Sequence, residues 1–459
     1  MKKILIICDY FAPVNKIASV RPTKFAKFIK KNYDFHVDVL TRETVKGTSL
    51  DNSTLADIKF IDNCIRIKDG PILDKATRIV RIIGRSLRGS RQYSEETKLP
   101  AQGENKVSPS TKSFRSRIKR YFSLRINQLL KIISSHWFAS QAYRHILLDS
   151  KVESYDVLFS TYGEYSGHLF AAKYKRSHPD TIWIADFRDA VLSDKNGIIS
   201  IAYSKLFQRH IVKKTDIVTA VSDGVLESLN IRNRRGYLIP NGYDSDDLKE
   251  SDCTLLDPNM LTFVYCGQLY PGRSDFSLFF RSLAELNYEG SLDIDRICID
   301  YAGNNGDEFI RQANEYGLGK IVKLHGIITR RESLDLQAGS SGLLLASWNQ
   351  KGATGVITGK VYEQMLLRKP IICILTGDLP NSKLRQMIEE GNLGICCEYA
   401  DLEWGKKQLR KYILDLYIEF RDTGKITYNP NNEFINNFDY ANITDRLMKI
   451  IESNGGNIQ

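Results

Sequence analysis

Short β-branched runs alternate with amphipathic stretches along most of the chain, the pattern of parallel strands joined by crossover helices. In the first half the runs predict strands over 3–8, 36–41, 156–161, 181–186, 216–221 and 236–239. A second series follows over 261–266, 297–302, 321–324, 342–346, 371–375 and 394–398. Each series suits one open, doubly wound sheet, so the expected fold class is α/β with two Rossmann-like domains facing each other across a cleft. Ligands are expected at the carboxyl ends of the strands. The stretch NGYDSDDLKESDCTLLDP over 241–258 is rich in turn residues and acids and holds no apolar periodicity, which marks it as the junction. The division is then 1–245 for the first domain, 246–430 for the second, and 431–459 for a terminal helix and tail that suits packing on either.

One segment departs from this pattern. In ATRIVRIIGRSLR, Ala76, Ile79, Val80, Ile83 and Leu87 share one helical face and Arg78, Arg81, Arg85 and Arg88 another. After a polar passage over 89–113, Phe114, Ile118, Tyr121, Phe122, Ile126, Leu129 and Ile133 stand opposite Arg115, Arg117, Lys119 and Arg120. The chain carries 65 Lys and Arg against 54 Asp and Glu, a net charge of +11. Sixteen of those cations and only three acids fall between Lys75 and His145, so this segment makes the protein basic and the remainder is slightly acidic. Residues 75–133 therefore read as a basic amphipathic insertion. It suits an anionic membrane surface, where each Lys or Arg contributes roughly 1 kcal/mol. The alternative is a pair of helices with ordinary solvated charges. No nucleic-acid motif is present, and nucleic acid is not an expected partner.

A length of 459 residues allows two or three domains, and 42% hydrophobic with 26% charged residues is ordinary for a globular chain. The eight cysteines are scattered through apolar runs without C-x-x-C pairs, as expected for reduced core residues. The opening MKKILIICDYF is broken by Asp9 too early for a signal sequence, and no run approaches a membrane span. These features point to a cytoplasmic protein.

The stretch TGKVYEQMLLRKPI, from Thr358, carries the first chemical question. A glycine at the mouth of a helix lets another molecule approach the backbone, and the free N–H groups there attract anions. Glu363 beside such an anion needs another purpose, such as holding a pair of sugar hydroxyls.

That stretch is one of several. DYFAPVNKIASVRPTKFAKFI, IADFRDAV, VSDGVLE with LIPNGYD, FVYCGQLYPGRSD, KLHGIITRRE and TGKVYEQMLLRKPI run in this order through nearly the whole chain. Together they resemble the GT-B glycosyltransferases grouped in glycosyltransferase family 4, above all the bacterial members that build surface polysaccharides. The resemblance implies a GT-B fold and retaining transfer from a nucleotide sugar, with a UDP-sugar the expected donor, held by the second domain. The acceptor, a lipid-linked or other saccharide, would be held by the first. The setting would be capsule, exopolysaccharide or lipopolysaccharide synthesis on the inner face of the plasma membrane.

The resemblance also assigns residues. Glu363 would hold the ribose hydroxyls, with Gly359 and Gly267 presenting backbone to the diphosphate. The places of a family arginine and lysine on the diphosphate hold Gln268 and Arg273. Lys360, three residues before Glu363 on the same side of the helix start, is a candidate phosphate contact that offsets the charge lost at Gln268, the alternative being a solvated intrahelical pair with Glu363. A second family glutamate is replaced here by Gly355. His325 would lie near the base. No metal and no other cofactor is expected, since basic side chains and helix dipoles neutralise the leaving diphosphate. The one D-x-D spelling, Asp293-Ile294-Asp295, precedes a strand. On the first domain Asp186, Arg188 and Asp189 lie past a strand's carboxyl end, where they orient acceptor hydroxyls or form a buried ion-pair cluster. Lys16, Ser19 and Arg21 should cover the cleft, and Asn241-Gly242 should turn tightly into the hinge. His168 suits packing better than acceptor contact. Two rivals stay open: a GT-B nucleotide-sugar epimerase, and a non-catalytic scaffold of a polysaccharide assembly complex.

Overall fold

The structure, a computed structural model, describes residues 1–44, 47–68, 70, 112–148, 154–192, 198–231, 236–248, 257, 259–270, 272–351 and 356–454. Its first half runs β1 (Lys2–Ile7), α1 (Ile17–Asn32), β2 (Phe35–Arg42), α2 (Leu55–Ile58), β3 (Asn63–Ile67), α3 (Lys112–Leu148), β4 (Val157–Tyr162), α4 (Ser166–Ser177), β5 (Ile182–Phe187), α5 (Ile198–Lys214), β6 (Ile217–Ala220), α6 (Asp223–Ser228) and β7 (Gly236–Leu238). The second runs β8 (Leu261–Cys266), α7 (Ser277–Tyr288), β9 (Ile297–Ala302), α8 (Gly306–Asn314), β10 (Val322–Gly326), α9 (Arg330–Ala338), β11 (Gly342–Trp348), α10 (Lys360–Leu367), β12 (Ile371–Thr376), α11 (Lys383–Glu390), β13 (Gly394–Glu398), α12 (Leu402–Thr423), α13 (Asn432–Asn436) and α14 (Tyr440–Asn454).

All pairings within both sheets are parallel, in the orders β3-β2-β1-β4-β5-β6-β7 and β10-β9-β8-β11-β12-β13. The central strands are buried on both faces, which is why they read as unbroken apolar runs such as ILII and LLLA. In each sheet the order reverses direction beside the first strand, between β1 and β4 and between β8 and β11. Crevices outside the strand ends form at such reversals.

The twelve expected strands are all present. β3 is an addition: its sequence NCIRI is short and polar because it is an edge strand, with Asn63 and Cys64 exposed. Cys64 thereby departs from the expected buried cysteine. The helix expected over 76–88 lies outside the described residues. The second amphipathic stretch belongs to a longer helix than expected, for α3 continues to Leu148. Its later turns supply Phe138, Ala139, Ala142 and Ile146 to the first domain's core.

The terminal helix α14 packs on the first sheet: Tyr440, Ile443, Leu447, Met448 and Ile451 join Phe25, Ile29 and the β1 and β2 side chains in one cluster. The chain therefore crosses between the sheets twice, and the crossings touch. Tyr243 N–H donates to the Phe438 carbonyl at 2.9 Å, and Tyr440 N–H to the Tyr243 carbonyl at 2.8 Å. Gly242 permits this approach, since a Cβ there would lie 2.2 Å from the Phe438 oxygen. Beside the crossing, Lys24 donates to Asp57, Asp244 and Asp247 at 2.7, 2.5 and 2.9 Å, and Lys27 to Asp244 at 2.6 Å. These carboxylates could group around a cation, but the two ammonium groups of α1 already lie among them.

Candidate functional site

A cavity of about 330 Å³ lies between the domains. One wall is the β1–α1 loop and the first turns of α1, including Asn15, Lys16, Ser19 and Lys24. The other is built at the strand ends of the second domain by Gly267, Gln268, Gly303, Thr329, Arg330 and Glu363. The N-terminus of α10 abuts that of α1, because a Cβ on Gly359 would stand 3.3 Å from Ile17 Cδ1. The positive dipole ends of two helices thus meet at the cleft, an arrangement that favours anions.

Gly267 ends β8 with φ +136°, and a Cβ there would lie 2.2 Å from Lys360 Nζ. The backbone angle favours glycine, and a side chain there would displace the Lys360 ammonium. Gly303, ending β9, meets the Gly267 carbonyl in the same way and was missed in the sequence. The Lys360 ammonium lies 4.2 Å from the centre of the Tyr265 ring and donates to the Tyr265 hydroxyl at 2.7 Å. Among the described residues it makes no ion pair, and burial pushes its pKa down to about 8. Three residues along α10, Glu363 accepts from Gln337 Nε2 at 2.8 Å and turns toward the cavity. Arg330 lies beside it and donates to Asp247 at 2.7 Å, linking the cavity wall to the crossing segments. Neither Arg330 nor Gln337 was singled out in the sequence. The T-x-x-E capping box at Thr329 and Glu332, which starts α9 at a strand end, was the available signal.

Other expected residues are placed elsewhere. Arg273 does not reach the cavity wall; its guanidinium stacks on Trp348 at 4.8 Å. His325, on edge strand β10, pairs with Asp300 at 2.5 Å and is also outside the wall. Asp186 is fully buried rather than open to an acceptor. It accepts from Arg21 Nε at 2.9 Å and Nη2 at 2.7 Å, from Thr161 at 2.9 Å and from Thr219 at 2.7 Å. Burial alone would raise its pKa, and the Arg21 guanidinium with the two hydroxyls outweighs that and lowers it. Arg188 fastens β4 to α1, donating to the Tyr162 and Ala18 carbonyls at 3.0 and 2.9 Å. The ion-pair alternative is therefore the arrangement found around Asp186. Of the cleft-loop residues, Lys16 and Ser19 line the cavity, whereas Arg21 lies beneath it. His168 is a core residue: it meets Ser160 Oγ at 2.8 Å, and burial lowers its pKa to about 3.

The depressed Lys360 pKa gives a pH signature. Unfolded lysine titrates near ~10.4, so between about pH 8 and that value the unfolded chain binds more protons than the folded one. The cost of the buried charge is complete below pH 8 and is relieved as pH rises through this window. An anion bound against the ammonium reverses the preference. Nucleoside diphosphate affinity is therefore expected to fall roughly tenfold between pH 7 and 9.5, and Lys360→Arg should flatten the profile. Calorimetric titration across that range checks both; a flat wild-type profile would remove Lys360 from the anion site.

No protein-family model matches the sequence, and no curated protein does. Solved structures do. The apo form of the lipopolysaccharide outer core galactosyltransferase WaaB superposes with a TM-score of 0.52 at 13% identity, over 98% of this chain and 99% of that one. The N-terminal domain of Candida albicans trehalose-6-phosphate phosphatase gives 0.59 at 10% identity, over 99% and 97%. The α,α-trehalose 6-phosphate synthase of Burkholderia multivorans gives 0.55 at 9% identity, over 98% and 96%. At these identities the likeness is one of architecture: the chain has the GT-B fold, two Rossmann-like domains facing a cleft.

Proposed function

We propose that the protein is a glycosyltransferase of the hexosyltransferase type that takes a sugar from a nucleotide sugar, a UDP-sugar, and passes it to a lipid-linked saccharide. The observation that carries this reading is the meeting of Gly267 and Glu363 on the interdomain cavity wall, with the Lys360 ammonium buried directly behind Gly267. Lys360 and the amides of α10 would balance a diphosphate, while Glu363 would accept from two vicinal hydroxyls of a ribose. Closure over the cavity would exclude water and align donor with acceptor. A galactosyltransferase and a trehalose 6-phosphate synthase among the fold neighbours fit such chemistry. Retention of configuration and independence from metal belong to the same proposal, as does a place in bacterial capsule, exopolysaccharide or lipopolysaccharide synthesis. The test is a thermal-shift panel of UDP, GDP, ADP and CMP. One nucleoside diphosphate should stabilise the protein by about 2.7 kcal/mol at 100 times its Kd; no shift with any of them would sink the donor site and favour the scaffold.

The same proposal places the protein at the inner face of the plasma membrane. Among the described residues no helix is long and apolar enough to cross a membrane. On α3, however, Ile126, Leu129, Ile133 and Trp137 are 46, 41, 54 and 40% exposed and recur on one side. Apolar side chains in such a row, on the segment that concentrates the positive charge, suit insertion among anionic headgroups. The triple change Ile126→Glu, Leu129→Glu, Ile133→Glu is expected to lower co-sedimentation with phosphatidylglycerol vesicles at least tenfold; unchanged co-sedimentation would remove α3 from the membrane contact.

A further inference from the structure

Two carboxylates flank the point where the first sheet reverses strand order. Asp9 follows β1 and Glu164 follows β4. They are adjacent, since the Glu164 N–H donates to Asp9 Oδ2 at 2.8 Å, yet their surroundings differ. Asp9 is 4% exposed and fully engaged: besides that amide it accepts from Arg42 Nε at 3.0 Å and from the Ser166 hydroxyl. It organises the loops. The Glu164 side chain is 19% exposed, and among the described residues only Lys131 donates to it, at 3.3 Å. An ionised carboxylate offers about four acceptor positions, so Glu164 has capacity left over. Burial and the nearby Asp9 charge raise its pKa, with Lys131 and Arg42 opposing.

Glu164 is linked to the interdomain cavity through Tyr10 and Lys16. The Tyr10 ring lies close enough for its phenol to feel Glu164, Asp9, Lys131 and Arg42, and Lys16 Nζ, a residue of the cavity wall, stands 3.6 Å from that ring's centre. Above lies α3. Its inner side holds the buried Ser135, Phe138 and Ala142; Lys131, one turn before Ser135, leaves the helix in the same direction but at its rim, with a side chain 61% exposed. There the helix overhangs Glu164, pinned by Lys131 and by Ser134, which accepts from Arg42 at 2.9 Å. At about 100° per residue, Lys131 leaves the helix roughly 140–160° from Ile126, Leu129 and Ile133. The apolar row and the carboxylate thus occupy opposite sides of one helix, roughly 10–12 Å across.

We propose that Glu164, with Tyr10 and Lys131 beside it, binds a hydroxyl of the saccharide head of an amphiphilic acceptor whose apolar tail runs over the edge of α3 toward the Ile126–Ile133 row. This rests on the glycosyltransferase reading for its consequence, but not for its geometry. Glu164 accepts the hydroxyl's hydrogen bond, the face of the Tyr10 ring opposite Lys16 packs on the sugar's C–H side, and Lys131 pairs with the carboxylate.

The experiment uses the full-length protein and a panel of octyl glycosides of common hexoses, each below its micelle concentration, with the free hexoses as controls. Binding is followed by calorimetry for the wild type, Glu164→Gln and Ile133→Glu. The unfolding midpoint and the thermal shift by nucleoside diphosphates are recorded alongside. At least one octyl glycoside should bind the wild type and outbind its free sugar. Glu164→Gln should weaken it at least tenfold, as expected for loss of a charge-assisted hydrogen bond, with the midpoint and the nucleotide shift retained. Ile133→Glu should erase the advantage of the octyl chain while leaving the Glu164 dependence. Binding unaffected by Glu164→Gln, or no octyl glycoside bound by the wild type, overturns the proposal. Absence of any nucleotide shift, with glycoside binding intact, overturns the glycosyltransferase reading instead.

Discussion

Glu363→Ala is expected to abolish the thermal stabilisation that the preferred nucleoside diphosphate gives the wild type. Glu363 stands at the start of α10 with one oxygen engaged by Gln337 and its half-buried carboxylate turned to the cavity. Two vicinal hydroxyls donating to one carboxylate are worth roughly 1.5–3 kcal/mol each, so losing them should weaken binding at least about a hundredfold. Ligand held at 100 times the wild-type Kd then stabilises the variant by only about 0.4 kcal/mol instead of about 2.7. The variant itself should fold, because the buried Gln337 amide keeps its bonds to Ser333 and the place of Glu363 in the first helical turn contributes roughly 0.3–1 kcal/mol. A thermal-shift comparison at one ligand concentration decides the matter: a full shift in the variant would show that the ribose is not held there.

The largest effect on stability is expected at Arg21. Its guanidinium is 1% exposed and spends its donors on Asp186 and on the carbonyls of Ile239 and Pro240, at 2.9 and 2.7 Å. It therefore joins α1, β5 and the segment that leaves the first domain. Arg21→Met removes the cation and leaves the fully buried Asp186 carboxylate with only the Thr161 and Thr219 hydroxyls, a loss of roughly 3–5 kcal/mol. Asp186→Leu strands Arg21 instead. The double variant should recover much of the loss, because it removes both buried charges. Urea unfolding of the single and double variants measures this. A loss below about 1 kcal/mol for Arg21→Met would mean that the pair is not desolvated.

How legible these features were depended on whether their cause was local. Strands such as 261–266 and 297–302 match to the residue because a doubly covered strand must be apolar throughout, and turn residues close it. β3 escaped because an edge strand need not be apolar. Gly267 stood out because a strand-end loop with positive φ favours glycine, whereas Glu363 and Lys360 were singled out by the family-like stretch at a helix start and their spacing along it. For Asp186 the sequence left a buried ion pair as one of two readings and could not choose, since the partner Arg21 lies 165 positions away. Arg273 and His325 were placed correctly on their strand-end elements, but a long side chain has a choice of direction. Trp348 and Asp300 decided that choice.

The docking of α14 on the first sheet bears on how the protein is made. The first domain consists of the beginning and the end of the described chain, with the second domain inserted between them. On the ribosome, β1 to β7 emerge early, yet the apolar face formed by Phe25, Ile29 and the β1 and β2 side chains stays uncovered until Tyr440 to Ile451 arrive. Domains ordinarily fold in the order of their synthesis. Here the inserted domain can close first, and the leading domain waits with an exposed apolar face for about two hundred residues of further synthesis. Chaperone dependence, and loss of the leading domain on a late truncation, follow from that order.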